Sequence, residues 1–111
     1  MGIPNQTPLE SAVLTLFHEL YGDRGFPSPV SIQVRRRDNT GAGRYVELEC
    51  PGQMDIADGY LDLAGRYIEM KSLPNGMMAV VQIKNHRIHV LEFTVYGGDS
   101  WDGTEEDWAL V

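Results

Sequence analysis

Hydrophobic and polar positions alternate with a period of two in several segments of this chain, and the longest of them runs from Gly76 to Tyr96. Two β-rich runs within it flank the pair Asn85-His86. Asparagine accepts the positive φ that a two-residue hairpin turn requires. The pattern therefore predicts a long antiparallel hairpin, against which the rest of the chain packs.

The register of this hairpin follows by counting outward from the turn. The count pairs Ile83 with Ile88, Val81 with Val90 and Val80 with Leu91. Farther from the turn the apolar positions move to the other face, at Met78, Val80, Leu91, Phe93 and Val95. Such a switch requires a bulge, a strong twist or cover on both faces of the ribbon.

One segment near the start has the helical period instead. Thr7 is a good N-cap, Pro8 suits the first helical position, and Glu10 completes a capping box. The apolar positions that follow form one stripe, at Leu9, Val13, Leu16, Phe17 and Leu20. With Gly22 as the C-terminal cap, this predicts an amphipathic helix lying across a sheet.

The remaining alternating segments predict further strands. A run ending at Val34 and a run from Tyr45 to Cys50 flank a turn cluster, so they form a hairpin that pairs Val34 with Val46 and Ile32 with Leu48. This register places two arginines and two glutamates on one outward face, at Arg35, Arg37, Glu47 and Glu49. Residues 60–63 and 67–71 read as one bent strand or a tight hairpin, and residues 72–76 as a turn.

These elements predict a single α+β domain spanning residues 1–111. One N-terminal amphipathic helix packs on a mostly antiparallel meander sheet of roughly five or six strands, and a short acidic C-terminal segment follows. The composition is ordinary for a globular protein, with 42% hydrophobic and 23% charged residues. A single cysteine, Cys50, excludes an intrachain disulfide. The sequence has no secretory leader or membrane-spanning pattern, so we expect a cytoplasmic protein.

Charge is distributed unevenly along the chain. The net charge is −7, and the segment from Leu91 to Val111 holds no lysine or arginine. Its six acidic residues are Glu92, Asp99, Asp102, Glu105, Glu106 and Asp107, whereas the rest of the chain has ten acids and nine bases. A polyanion is repelled from such an end, so we expect neither nucleic acid nor a membrane as a partner.

The C-terminal segment also contains both tryptophans. We expect Trp101, Trp108 and Leu110 to fold back on the body, and Thr104 with Asp107 to cap a short helix. Indole rings beside carboxylates suit a contact surface for a basic protein, whereas the alternative is a tail that completes the fold. The predicted partner-binding residues are Asp99, Trp101, Asp102, Glu105, Glu106, Asp107 and Trp108.

Catalytic signatures are missing from the sequence. Three histidines and Cys50 have no metal-site spacing, so we predict no metal and no cofactor. The basic run Arg35-Arg36-Arg37 alternates faces on a strand and lacks interleaved aromatics, which argues against nucleic-acid binding. We therefore expect a protein that is not an enzyme.

The order of elements is similar to that of small acidic bacterial immunity proteins, which neutralise polymorphic toxins. The similarity lies in one helix followed by an antiparallel meander, and in the runs LPNGMMAVVQIKNHRIHVLE and GDSWDG. It implies a non-enzymatic inhibitor that blocks a basic toxin surface, often the substrate cleft of a nuclease. These proteins share no common site pattern, so no residue role carries over.

Two alternatives come from other classes. One is a small-molecule-binding or enzymatic domain with a pocket between helix and sheet, lined by polar groups such as His18, Tyr21, Tyr60 or Tyr67. The other is a homodimer built through edge strands of the sheet.

Overall fold

A computed structural model of the protein describes residues 5–111. Its single α-helix within this range is α1, Pro8–Tyr21. The strands are β1 (Gln33–Asn39), β2 (Gly43–Glu49), β3 (Gly59–Leu61), β4 (Ile68–Met70), β5 (Leu73–Lys84), β6 (Arg87–Val95) and β7 (Trp108–Leu110). The predicted α+β class is confirmed, and the sheet has seven strands where five or six were expected. The additional strand, β7, comes from the C-terminal segment.

The predicted capping box starts α1. The backbone N–H of Glu10 donates to Thr7 Oγ1 over 3.2 Å, and the N–H of Thr7 donates to Glu10 Oε1 over 3.0 Å. Both groups would otherwise lack partners at a helix start. The apolar stripe of the helix is buried in the core, at Leu9, Val13, Leu14, Leu16 and Phe17. The helix ends at Tyr21, and Gly22 is its C-cap as predicted.

All pairings between the strands are antiparallel, in the order β1-β2-β6-β5-β4-β7. The 12-residue strand β5 carries two short strands on its outer edge. Near its start it pairs with β4, and near its end with β3. Residues 60–71 therefore form neither one bent strand nor a hairpin, because β3 and β4 each pair with β5.

The central hairpin has the predicted turn, with φ of 55° at Asn85 and 59° at His86. Ile83 pairs with Ile88 as expected, but Val81 pairs with Leu91 rather than with Val90. The predicted register is wrong by one residue from this point on, because His89 is an extra residue in β6. The bulge turns Val90 away from the core, whereas Leu91 and Phe93 point into it.

A second bulge changes the first hairpin. Val34 pairs with Leu48 and Arg37 with Val46, so the predicted pairing of Val34 with Val46 is wrong. Arg35 is the extra residue. It reverses the side on which later residues of β1 project, and Arg37 consequently points toward α1 instead of outward.

The core lies between α1 and one face of the sheet. No helix of the described chain covers the opposite face of the sheet. Four of the five tyrosines are exposed, at Tyr45, Tyr60, Tyr67 and Tyr96. No helix within residues 5–111 is long and apolar enough to cross a membrane.

Candidate functional site

The C-terminal segment folds back on the body, as predicted. The Trp101 side chain is only 2% exposed, and its ring packs edge-on against Phe93 with 6.1 Å between ring centroids. The backbone N–H of Trp101 donates to Gly41 O over 2.8 Å, and its indole N–H donates to Thr104 O over 2.8 Å. Trp101 is therefore a core residue that anchors the segment, and its ring is not available to a partner.

Two glutamates and two arginines form a buried ion cluster between α1, β1, β2 and the C-terminal segment. Glu10, Arg37, Arg44 and Glu105 are its members. Arg37 binds Glu10 with two nitrogens, Nε at 2.7 Å and Nη2 at 2.6 Å. Arg44 Nη1 lies 3.1 Å from Glu10 and 2.6 Å from Glu105. The hydrogen bond to Glu10 raises the pKa of Arg37, which keeps this guanidinium charged.

Arg44 is the centre of the cluster, and its side chain is only 3% exposed. Its guanidinium lies 4.5 Å from the centroid of the Trp101 ring and also donates to Asn39 Oδ1 and Gly103 O, each over 2.8 Å. Every buried side-chain nitrogen and oxygen in the described part of the chain has a hydrogen-bond partner. The cluster is thus a fully satisfied structural unit, as a buried charge requires.

Glu105 connects the C-terminal segment to the start of α1. Its Oε1 accepts a hydrogen bond of 3.0 Å from the backbone N–H of Leu9, and its other oxygen accepts from Arg44. A carboxylate is favourable at this position because the helix N-terminus carries a partial positive charge. Glu105 was predicted to bind a partner, but the structure places its carboxylate in an internal contact.

Four other predicted residues form what we call the acidic surface: Asp99, Asp102, Glu106 and Asp107. Asp102, Glu106 and Asp107 are exposed, and Asp99 is half-buried. Within residues 5–111, no lysine or arginine nitrogen lies within 4.0 Å of these carboxylates. The backbone N–H of Thr104 donates to Asp102 and lowers the pKa of this carboxyl, so it stays ionised.

Trp108 occupies an intermediate position. It lies in β7, opposite Met70 of β4, and its half-buried side chain packs against the core. The short helix predicted after Thr104 is not formed, because Asp107 has a φ of 48° and the chain then enters β7. The predicted patch is therefore divided. Trp101 and Glu105 make internal contacts, Trp108 is half-buried, and of the other carboxylates three are exposed and that of Asp99 is half-buried.

A groove of about 560 Å³ lies beside the acidic surface, on the uncovered face of the sheet. Its lining includes Tyr67, Glu69, Lys71, Asn75, Gly76 and Asp107. A smaller notch of about 280 Å³ lies beyond Tyr67, with Asp62, Arg66, Met78 and Tyr96 in its lining. Sequence reasoning did not single out Glu69, and it named Tyr67 only for a pocket on the helix side.

Residues of α1 line none of the five depressions described within residues 5–111. Two of the four polar groups predicted for a pocket there bind backbone oxygens instead. His18 Nδ1 donates to Phe26 O over 2.7 Å, and the Tyr21 hydroxyl donates to Asp62 O over 2.9 Å. Burial raises the pKa of Tyr21.

The remaining candidates from the sequence are the Cys50 thiol, the basic run Arg35-Arg36-Arg37 and the possible metal ligands. Burial raises the pKa of the Cys50 thiol, which lowers its reactivity as a nucleophile. Arg35 pairs with Glu49, and Arg36 pairs with Asp38 and Glu47. Across the described residues, no group of three or more His, Cys, Asp and Glu side chains is arranged to hold a metal ion. No protein-family model, curated protein or solved structure matches the chain.

Proposed function

We propose that this protein is a non-enzymatic protein-binding module of the immunity type, which neutralises a basic toxin or effector in the bacterial cytoplasm. The observation that carries this proposal is the acidic surface, whose carboxylates have no cationic partner within the described chain. A cationic surface on another protein supplies the missing counter-charge.

The distribution of ion pairs supports this function. In the described chain the arginines at positions 35, 36, 37 and 44 pair with five carboxylates, and none of the five belongs to the acidic surface. These four arginines are therefore paired elsewhere, and the carboxylates of the acidic surface have no ion-pair partner in the described chain. Such a surface accelerates encounter with a cationic partner and repels anionic competitors.

The acidic surface is also held in place before any partner arrives. Trp101 anchors one end of it in the core, Glu105 joins its middle to Arg44 and α1, and β7 fixes its far end to β4. A rigid surface loses little conformational entropy on binding, so more of the contact energy is left for affinity. The lowered pKa of Asp102 suits a permanent charge rather than a proton donor.

Co-purification with the product of the neighbouring gene tests the proposal. The test variant is Glu106→Lys with Asp107→Asn, because asparagine tolerates the positive φ at position 107. The control is Glu19→Lys with Asp23→Asn, which makes the same charge change at exposed residues outside the acidic surface.

We expect the wild type and the control variant to retain the partner and suppress its toxicity, whereas the test variant loses it in moderate salt. Retention by the test variant equal to that of the control would overturn the assignment of the acidic surface.

A further inference from the structure

Tyr67 is an exposed aromatic residue whose position is fixed by the backbone around it. Its N–H donates to Val111 O over 3.1 Å, and the N–H of Val111 donates back to Tyr67 O over 2.9 Å. The ring lies against Gly76, where an added Cβ would stand 3.2 Å from Cδ2 of the ring and 2.6 Å from Ile68 O. A Cβ at position 76 would therefore overlap the Ile68 carbonyl oxygen and crowd the ring.

Although it is held in this way, Tyr67 remains 39% exposed. Ordered tyrosines provide a large contact area at a low entropic cost, and they are common among the residues that dominate binding energies. Tyr67 also lines both the groove and the notch, so it borders a side chain that enters either depression.

The charges around Tyr67 favour a cation. Glu69 and Asp107 line the groove together with Lys71, and Asp62 lines the notch together with Arg66. In the part of the chain that the structure describes, Glu69 and Asp107 form no ion pair with any lysine or arginine. The acidic surface adjoins the groove through Asp107, so the surroundings are negative overall.

We propose that the groove binds an arginine side chain of the protein partner, with the guanidinium stacked on Tyr67 and Glu69 and Asp107 accepting its hydrogen bonds. This inference rests on the proposed function, because it identifies one contact of the same cationic partner. Arginine fits better than lysine because its planar group stacks on an aromatic face and binds carboxylates through several donors. A second copy of this chain is a poor occupant, since two acidic surfaces would meet.

The test is a titration with two peptides of equal charge, capped hexa-arginine and capped hexalysine, at low ionic strength. Binding is followed by ¹H–¹⁵N chemical shifts of the full chain. We expect hexa-arginine to bind about two- to fivefold more tightly, the range that one cation–π contact at an exposed site gives. The largest shifts should lie at Tyr67 and Glu69.

Variants of Tyr67 identify the stacking contact. Tyr67→Leu keeps apolar area but has no aromatic face, so its affinity for hexa-arginine should fall to that for hexalysine, whereas Tyr67→Phe should keep the preference. The matched control is Tyr60→Leu, at a tyrosine that is 63% exposed on β3. Thermal unfolding shows whether each variant is folded. Equal binding of the two peptides, or an unchanged preference in Tyr67→Leu, would overturn the inference.

A second pair of variants separates this inference from the proposed function. If the acidic surface binds cations, Glu106→Lys should weaken the binding of hexalysine, whereas Glu19→Lys should leave it unchanged. If the two variants behave in this way but the protein binds both peptides equally, only the role of Tyr67 is wrong. If neither peptide binds, both proposals are wrong. A dimer in light scattering that Tyr67→Leu dissociates would assign this face to self-association and overturn the inference as well.

Discussion

Replacing Glu105 with alanine tests the physical role of the buried ion cluster. The carboxylate is 11% exposed, and it is one of two that neutralise Arg44 and Arg37. In Glu105→Ala, two guanidinium groups share Glu10 alone, and the N–H of Leu9 loses its acceptor. Removing one partner of a buried ion pair costs about 3–5 kcal/mol, because the other charge remains buried. That is a large part of the 5–15 kcal/mol that typically stabilises a whole domain.

Urea denaturation measures this cost, and the exposed neighbour Glu106→Ala is the control. We expect Glu105→Ala to lower the free energy of unfolding by about 3–5 kcal/mol and Glu106→Ala to change it by less than about 0.5 kcal/mol. In a double-mutant cycle with Arg44→Met, the double variant should be more stable than the sum of the single effects by at least about 1 kcal/mol. Strict additivity, or equal stability of the two alanine variants, would refute the role given to Glu105.

Three further predictions concern other parts of the fold. Gly43→Ala should destabilise the protein by about 3 kcal/mol or more in urea, because the added Cβ overlaps the carbonyl oxygen of Phe93. Backbone N–H groups of His86 and Asn85 hold the pKa of Asp58 below 3.8. The stabilising effect of the ionised Asp58 carboxylate is therefore complete above that pH and is lost as the pH falls below it. Between about pH 5 and pH 3, the urea midpoint of Asp58→Asn should depend less on pH than that of the wild type. Cys50, which is 9% exposed and has a raised pKa, should react with a thiol reagent at least about tenfold more slowly in the native protein than in denaturant.

Local signals in the sequence were sufficient to predict the elements. The capping box at Thr7 and Glu10 fixes the start of α1, and the pair Asn85-His86 forms the hairpin turn, because each depends only on neighbouring residues. The α+β layout follows from these elements and from the alternating strands. The return of the C-terminal segment was also predictable, since large apolar side chains are buried where a surface is available.

The registers were harder to predict because each depends on one bulged residue. His89 and Arg35 have no turn signal of their own, and each shifts every later pair of its strand. The bulge at Arg35 has the larger consequence for function. It brings Arg37 to the helix side, where it binds Glu10, and so removes this arginine from the outward face.

The division of the predicted patch depends on contacts between residues far apart in sequence. Glu105 lies 61 positions from Arg44 and 96 from Leu9 in the sequence. Composition alone does not show that Glu105 makes an internal contact whereas the neighbouring Glu106 is exposed. Six acids in one segment indicated a charged end, but they did not indicate which carboxylate would be internal. Asp99, Asp102, Glu106 and Asp107 remain predicted partner contacts.

The association rate of the protein with the product of its neighbouring gene, measured against ionic strength, tests the central claim most directly. For the wild type we expect a rate that falls steeply as salt rises, because unpaired carboxylates steer the encounter. At low salt, Glu106→Lys with Asp107→Asn should associate about tenfold more slowly than Glu19→Lys with Asp23→Asn. Equal rates for these two variants, or a wild-type rate that does not change with salt, would contradict the claim that the acidic surface meets a cationic partner.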